Sequence, residues 1–225
     1  PDPNREFTMS LSSRRETIIV SIVVASAVLV AGIAGTMIIR KKQQKTGESY
    51  ATPIDASLEQ SMGKAPAFTL ENMDGKKISN TDLLGKVWVV DFIFTTCGGT
   101  CPMMTESMKV VQDRVKDLAD VRFVSITVDP KNDTPQALRE YAQHWGADPE
   151  RWYFLRGERE EIARIDREGF HLGNPDDVVD HSQRLVLIDP LGKIRGYYDG
   201  ATPHRGTHAQ TLAEDIRKIL VHQRP

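Results

Sequence analysis

Residues 86–94 read KVWVVDFIF, an almost continuous run of apolar and β-branched side chains. Side chains alternate between the two faces of a sheet, so this run predicts a strand buried on both faces. After it, Met104, Met108, Val111, Val115 and Leu118 recur at spacings of four, three, four and three, which places them on one helix face. VRFVSITVD (121–129) reads as a second buried strand. Thr134-Pro135 opens another helix, with threonine as cap and proline at the first helical position, and Leu138, Tyr141, Ala142 and Trp145 form its apolar side. ERWYFLRG gives a short strand, EREEIARIDREGF a helix, and RLVLIDPLGKIRGYYDG a hairpin about Pro-Leu-Gly. Leu212, Ile216, Ile219 and Leu220 mark a closing amphipathic helix, and FTLENMDGKKIS carries an earlier hairpin about Asp74-Gly75. The predicted class is α/β, with helices around a mixed sheet.

The only two cysteines, Cys97 and Cys101, follow the first buried strand, with Pro102 behind them. Two are too few for a disulfide-stapled secreted scaffold or for a closed four-ligand zinc site. A net charge of -2 with 27% charged residues does not suggest a nucleic-acid partner. The strand-to-helix junction is where thioredoxin-like folds carry an active dithiol, so the expected fold is thioredoxin-like. Pro102 fits the first helical turn, which makes Cys101 the expected cap and Cys97 the outer thiol. Free N–H groups at the helix start then favour thiolate at both sulfurs. Thiolate attacks disulfides and also binds metals, so the location leaves both chemistries open. The spacing is C-x-x-x-C rather than C-x-x-C, and Gly98-Gly99 lets the backbone curl so that both sulfurs face one point. That suits a shared metal ion, and a reversible disulfide remains sterically open.

A third ligand is sought among six histidines. His144 and His222 read as solvated, and His204 and His208 stand at a frayed helix start. His171, in a loop after Phe170, is ambiguous. His181, in VVDHSQRLVLID, precedes a strand where thioredoxin-like folds place a proline loop against the dithiol; its alternative is a structural histidine held by a backbone carbonyl. Two thiolates and an imidazole suit copper, because soft sulfur holds Cu(I) and imidazole supports Cu(II). Met104 belongs to the core stripe, and Met103 reads as packing.

From about Ala65 to His222 the sequence resembles the Sco/SenC family, on TTCGGTCP, SITVDPKNDTPQAL and VDHSQRLVLIDPLG. These are membrane-anchored, thioredoxin-like copper proteins of cytochrome c oxidase assembly. The resemblance implies Cys97, Cys101 and His181 as metal ligands, copper as the metal, and the oxidase copper-site subunit as recipient. It also implies a copper donor protein or a thioredoxin-like reductant as partner. Asp129, Pro130, Asp133 and Thr134 match the family's D-P-x-x-D-T, read as structural or partner-facing. Gly98 stands where the family commonly has proline, which loosens the loop and removes no ligand. A metallochaperone of this kind is not a turnover enzyme. The rivals are a thiol–disulfide oxidoreductase using the same cysteines and, with no additional feature in support, a peroxidase-like enzyme.

Residues 17–39 carry no charge over 23 positions, enough to span a hydrocarbon core of about 30 Å. A cleaved signal peptide is the rival, although its apolar stretch normally runs only about 7 to 15 residues. The expected organisation is a tail at 1–16, with the stretch before Met9 set aside, a transmembrane helix at 17–39, a polar tether at 40–64 and the Sco domain at 65–225. Arg40, Lys41, Lys42 and Lys45 outnumber Arg14 and Arg15, which by the positive-inside rule puts the domain in the cytoplasm. The resemblance implies the opposite side, periplasm or intermembrane space, and the expectation follows the resemblance.

Overall fold

The computed structural model describes residues 61–172, 182–201 and 205–222. The span expected at 17–39 lies outside them; among the described residues no helix is long and apolar enough to cross a membrane.

The elements run β1 (Thr69–Asn72), β2 (Lys77–Ser79), a 3-10 turn (Asn80–Leu83), β3 (Val87–Ile93), α1 (Thr100–Arg114), β4 (Val121–Thr127), α2 (Pro135–His144) and β5 (Trp152–Arg156). Then come α3 (Arg159–Arg164), a π turn (Ile165–Gly169), β6 (Arg184–Ile188), β7 (Ile194–Asp199) and α4 (Arg205–His222). One seven-stranded sheet has the order β2-β1-β5-β4-β3-β6-β7. Its centre, β3-β4-β5, is parallel, as helical crossovers require, while the flanking strands pair antiparallel. This is the mixed α/β, thioredoxin-like arrangement expected.

All seven residues of β3 are buried. Val87, Val89 and Ile93 pack with Met104, Met108 and Val111 of α1 and Leu212 and Ile216 of α4. Trp88, Val90 and Phe92 face the other layer, with Ile162 of α3, Ile165 and Phe170. Phe170 meets the edges of Trp88 at 6.2 Å and Phe92 at 6.0 Å. The helix expected over EREEIARIDREGF is α-helical only to Arg164, and the Phe170 N–H then donates to the Ile165 carbonyl at 2.9 Å. That wider turn accommodates both Ile165 and Phe170 in the same layer.

At the N-terminal end of β3, Gly192 takes φ +74° to close the β6–β7 turn, where its N–H donates to the Asp189 carbonyl at 2.9 Å. Residues 61–65 run beside this turn and the start of β7: the Met62 N–H donates to the Ile194 carbonyl at 3.0 Å and the Ala65 N–H to the Gly192 carbonyl at 2.9 Å. Lys64 and Lys193 face each other in the resulting bridge.

Asp91 interrupts the apolar pattern of β3 on the α1 side. It is fully buried; its Oδ1 accepts from Ser125 Oγ at 2.6 Å, and Ser125 in turn accepts from Trp152 Nε1 at 2.9 Å. Its Oδ2 has no hydrogen-bond partner. Burial raises the carboxyl from 3.8 to about 7, against the Ser125 bond and its own backbone N–H, which lower it. The folded protein therefore keeps a proton here that the unfolded chain loses, so this site's contribution to stability falls as pH rises from about 4 to about 7. Asp91→Asn has no proton to lose. Its melting temperature minus that of the wild type should be a few degrees greater near pH 8 than near pH 4.5, measured by circular dichroism. An equal difference at both pH values would show that this carboxyl is not desolvated.

Candidate metal and redox centre

The two cysteines lie at the pole where β3 and β4 end. Between Ile93 and α1 the chain turns through Phe94 to Gly99, and the Cys97 N–H donates to the Phe94 carbonyl at 3.2 Å. Asp133, fully buried, holds the front of this loop. Its carboxylate accepts from the Thr95 N–H at 3.1 Å, from Thr95 Oγ1 at 2.5 Å and from Thr127 Oγ1. One carboxylate thus ties the loop to the end of β4, and its lone pairs are satisfied where burial would otherwise be costly. The structural reading of Asp133 holds, with a definite purpose: it anchors the chain two residues ahead of Cys97. Thr134 caps α2 as expected, accepting from the Ala137 N–H at 3.2 Å, with Pro135 opening the helix.

The expectation that Cys101 caps α1 is corrected. Gly99 is the cap residue, without a side chain to do the capping, and Cys101 lies one residue inside the helix, after Thr100. The Cys97 sulfur takes the capping oxygen's place. It accepts from the Gly99 N–H at 3.4 Å, and the N–H groups of Thr100 and Cys101 also point to it. The flexible Gly98-Gly99 step lets the loop curl back so that a sulfur outside the helix meets those donors.

The thiols form no disulfide, are in hydrogen-bond contact with each other, and are differently placed: Cys97 is half-buried and Cys101 buried. Partial burial acts to raise the Cys97 thiol, but the Cys101 N–H, the Cys101 thiol and the N–H groups of Gly99 and Thr100 outweigh it and leave the thiol below its ordinary value. At Cys101 burial dominates and pushes the thiol well up, opposed by the Phe94 N–H and reinforced by Cys97 and by the Asp91 charge. Thiolate is therefore favoured at one sulfur rather than at both. The difference is one of solvation, since the helix end reaches Cys97 while the core encloses Cys101.

Cys101 is further fixed from α2. Thr105 Oγ1 donates to the Cys101 carbonyl at 3.0 Å, so the Tyr141 hydroxyl, 2.7 Å away, is the donor to Thr105. This clamp and the carboxyl of Asp91 beneath the thiols were not among the sequence candidates. A lone aspartate inside KVWVVDFIF was the available signal for the second.

His181, the expected imidazole ligand, and His204 lie outside the described residues. Among the described residues no group of three His, Cys, Asp or Glu surrounds a common point. His171 is exposed, with φ +54°, and follows Phe170, whose ring packs on the sheet face opposite α1. His144 is exposed, edge-on to Trp145 at 5.5 Å. His208 is partly buried in α4, with Nδ1 unpartnered. Two adjacent soft sulfurs at a solvent-facing pole, one disposed to ionise, fit a soft cation such as Cu(I).

Relatives agree with this geometry. The SCO1/SenC family matches residues 56–220. The SCO1 protein homolog of Bacillus subtilis is 38% identical over 166 residues, covering 70% of this chain and 82% of that protein. The solved structure of BsSco, described as a Sco-family cytochrome c oxidase assembly protein with a disulfide switch, superposes with a TM-score of 0.60 at 32% identity, over 71% of this chain and 98% of that one. ScoI of Arabidopsis thaliana, solved with copper bound, gives 0.57 at 28% identity over 68% of this chain and 98% of that one. With the sheet order, the dithiol junction and these matches in agreement, the chain belongs to the SCO1/SenC family.

Proposed function

We propose that this protein holds copper at Cys97 and Cys101, completed by the imidazole of His181, and passes it to the copper-site subunit of cytochrome c oxidase. The observation that carries this reading is the pair of contacting thiols at an open pole, one held toward thiolate by a helix start. Copper bound to Arabidopsis ScoI and the assembly role of BsSco support it. Two thiolates hold Cu(I) in a near-linear arrangement, and imidazole adds the nitrogen that Cu(II) favours.

The split between the thiols favours a second reading, reduction of a disulfide on the oxidase copper site or another protein. The Cys97 thiolate, the less buried of the two sulfurs, attacks one sulfur of the target and displaces the other, forming a mixed disulfide. Cys101 then gives its proton to the departing thiolate and closes on Cys97. That closure displaces the target's second sulfur as a thiolate, which takes a proton from water, so the target leaves with two thiols and the pair here is oxidised to a disulfide.

On either reading, residues 17–39 tether the domain to a membrane, and the domain faces the periplasm or the intermembrane space. A reporter active only outside the cytoplasm, fused after Pro225, should then work. A fusion active only as a cytoplasmic reporter would give the orientation to the basic cluster at 40–45.

His181→Ala should weaken Cu(II) by about tenfold or more and shift the thiolate-to-Cu(II) charge-transfer band, with Cu(I) affected less. Thiol titration should stay nearly unchanged. A folded variant with wild-type Cu(II) affinity and spectrum would sink the three-ligand assignment. For the thiols, limited iodoacetamide labelling read by mass spectrometry should modify Cys97 about tenfold or more faster than Cys101. Equal labelling would count against the ordered attack.

A further inference from the structure

We infer that the pole opposite the dithiol rests on a phospholipid bilayer surface, so that the copper pole faces away from the membrane. This rests on the tether reading of residues 17–39. The exposed large hydrophobic residues among the described residues are Met62, Leu84, Leu191 and Val221, at 42%, 50%, 64% and 67%. All four belong to one end of the fold. Leu191 is in the β6–β7 turn, and Leu84 Cδ2 lies 3.5 Å from where a Cβ on Gly192 would sit. The Gly85 N–H donates to the Pro190 carbonyl at 2.9 Å, and Met62 pairs with Ile194 at the start of β7. Val221 follows Leu220, which shares a cleft with Gly85 and Pro190.

Three arguments choose lipid as the occupant. The exposed large apolar side chains of the described residues gather at one end instead of being scattered singly, which marks a contact. The chain joins the domain at this same end, through the pairing of residues 61–65 with the start of β7, and only residues 40–60 separate it from the uncharged stretch. The charges are mixed: Lys64 and Lys193 stand side by side, Lys86 pairs with Asp120, and Arg217 pairs with Asp117. Insertion of leucine, methionine and valine, with lysines at the headgroup level, fits that mixture better than attraction of a polyanion. The length of β3, roughly 20 Å, separates this end from the thiols, which stay free for a protein partner.

The test uses the full chain in phosphatidylcholine–phosphatidylglycerol nanodiscs with doxyl-labelled lipid. Leu191→Trp and Leu84→Trp report the proposed contact, and Lys131→Trp, exposed at the dithiol pole, reports its opposite; each is read after subtracting wild-type emission. At least half of the added emission should be quenched at positions 84 and 191, and little at 131. No quenching, or equal quenching at both poles, in chain that stays with the discs through a carbonate wash overturns this inference and leaves the tether standing. Loss of the chain from the discs in that wash overturns both. A blue shift at 191 that grows with protein concentration and ignores doxyl lipid assigns the surface to a second copy and overturns the lipid contact.

Discussion

Seven consecutive residues of β3 are buried, and their alternating side chains belong to two different layers. Val87, Val89 and Ile93 are covered by α1 and α4, while Trp88, Val90 and Phe92 meet α3 and the aromatic ring of Phe170. A strand held from both sides has no freedom to slip, because a shift of one residue would exchange the layers. The turn leaving it at Phe94 is placed accordingly. Asp133 adds the remaining constraint by gripping Thr95 from the end of β4. The dithiol loop is therefore supported by two adjacent parallel strands, although the loop itself contains two glycines.

Within that loop the sulfurs face different surroundings. Cys97 occupies the place of a capping oxygen, so the N–H groups at the start of α1 stabilise negative charge on it. Cys101, one turn of chain further on, is enclosed by the core and clamped through Thr105 and Tyr141. A sulfur that ionises readily beside one that resists is suited to ordered thiol exchange. On the copper reading proposed above, the same asymmetry would make Cys97 the readier ligand, and a bound cation would supply the charge that favours the thiolate of Cys101.

Two buried carboxylates near the site illustrate how partners decide behaviour. Asp133 accepts from Thr95 and Thr127 and acts as an anchor. Asp91 has one oxygen satisfied by Ser125 and the other bare, and burial raises its carboxyl. Both are aspartates at zero exposure, and the number of donors within reach separates them.

The element order, the one-sided stripe of Met104, Met108 and Val111, the cap at Thr134 and the location of the dithiol were legible in the sequence, because periodicity and capping are local properties of the chain. The π turn after Arg164 was not, since it depends on Phe170 finding room between Trp88 and Phe92. Nor was the capping arrangement at α1: the spacing of Cys97, Gly99 and Cys101 permits either cysteine to meet the helix start, and only the path of the loop selects Cys97. What the chain by itself determined is which residues carry soft sulfur and that a strand-to-helix junction presents them. What only the tertiary structure decided is that one thiol is lowered and the other raised, because ionisation depends on burial and on donors brought together from α1 and the loop that precedes it.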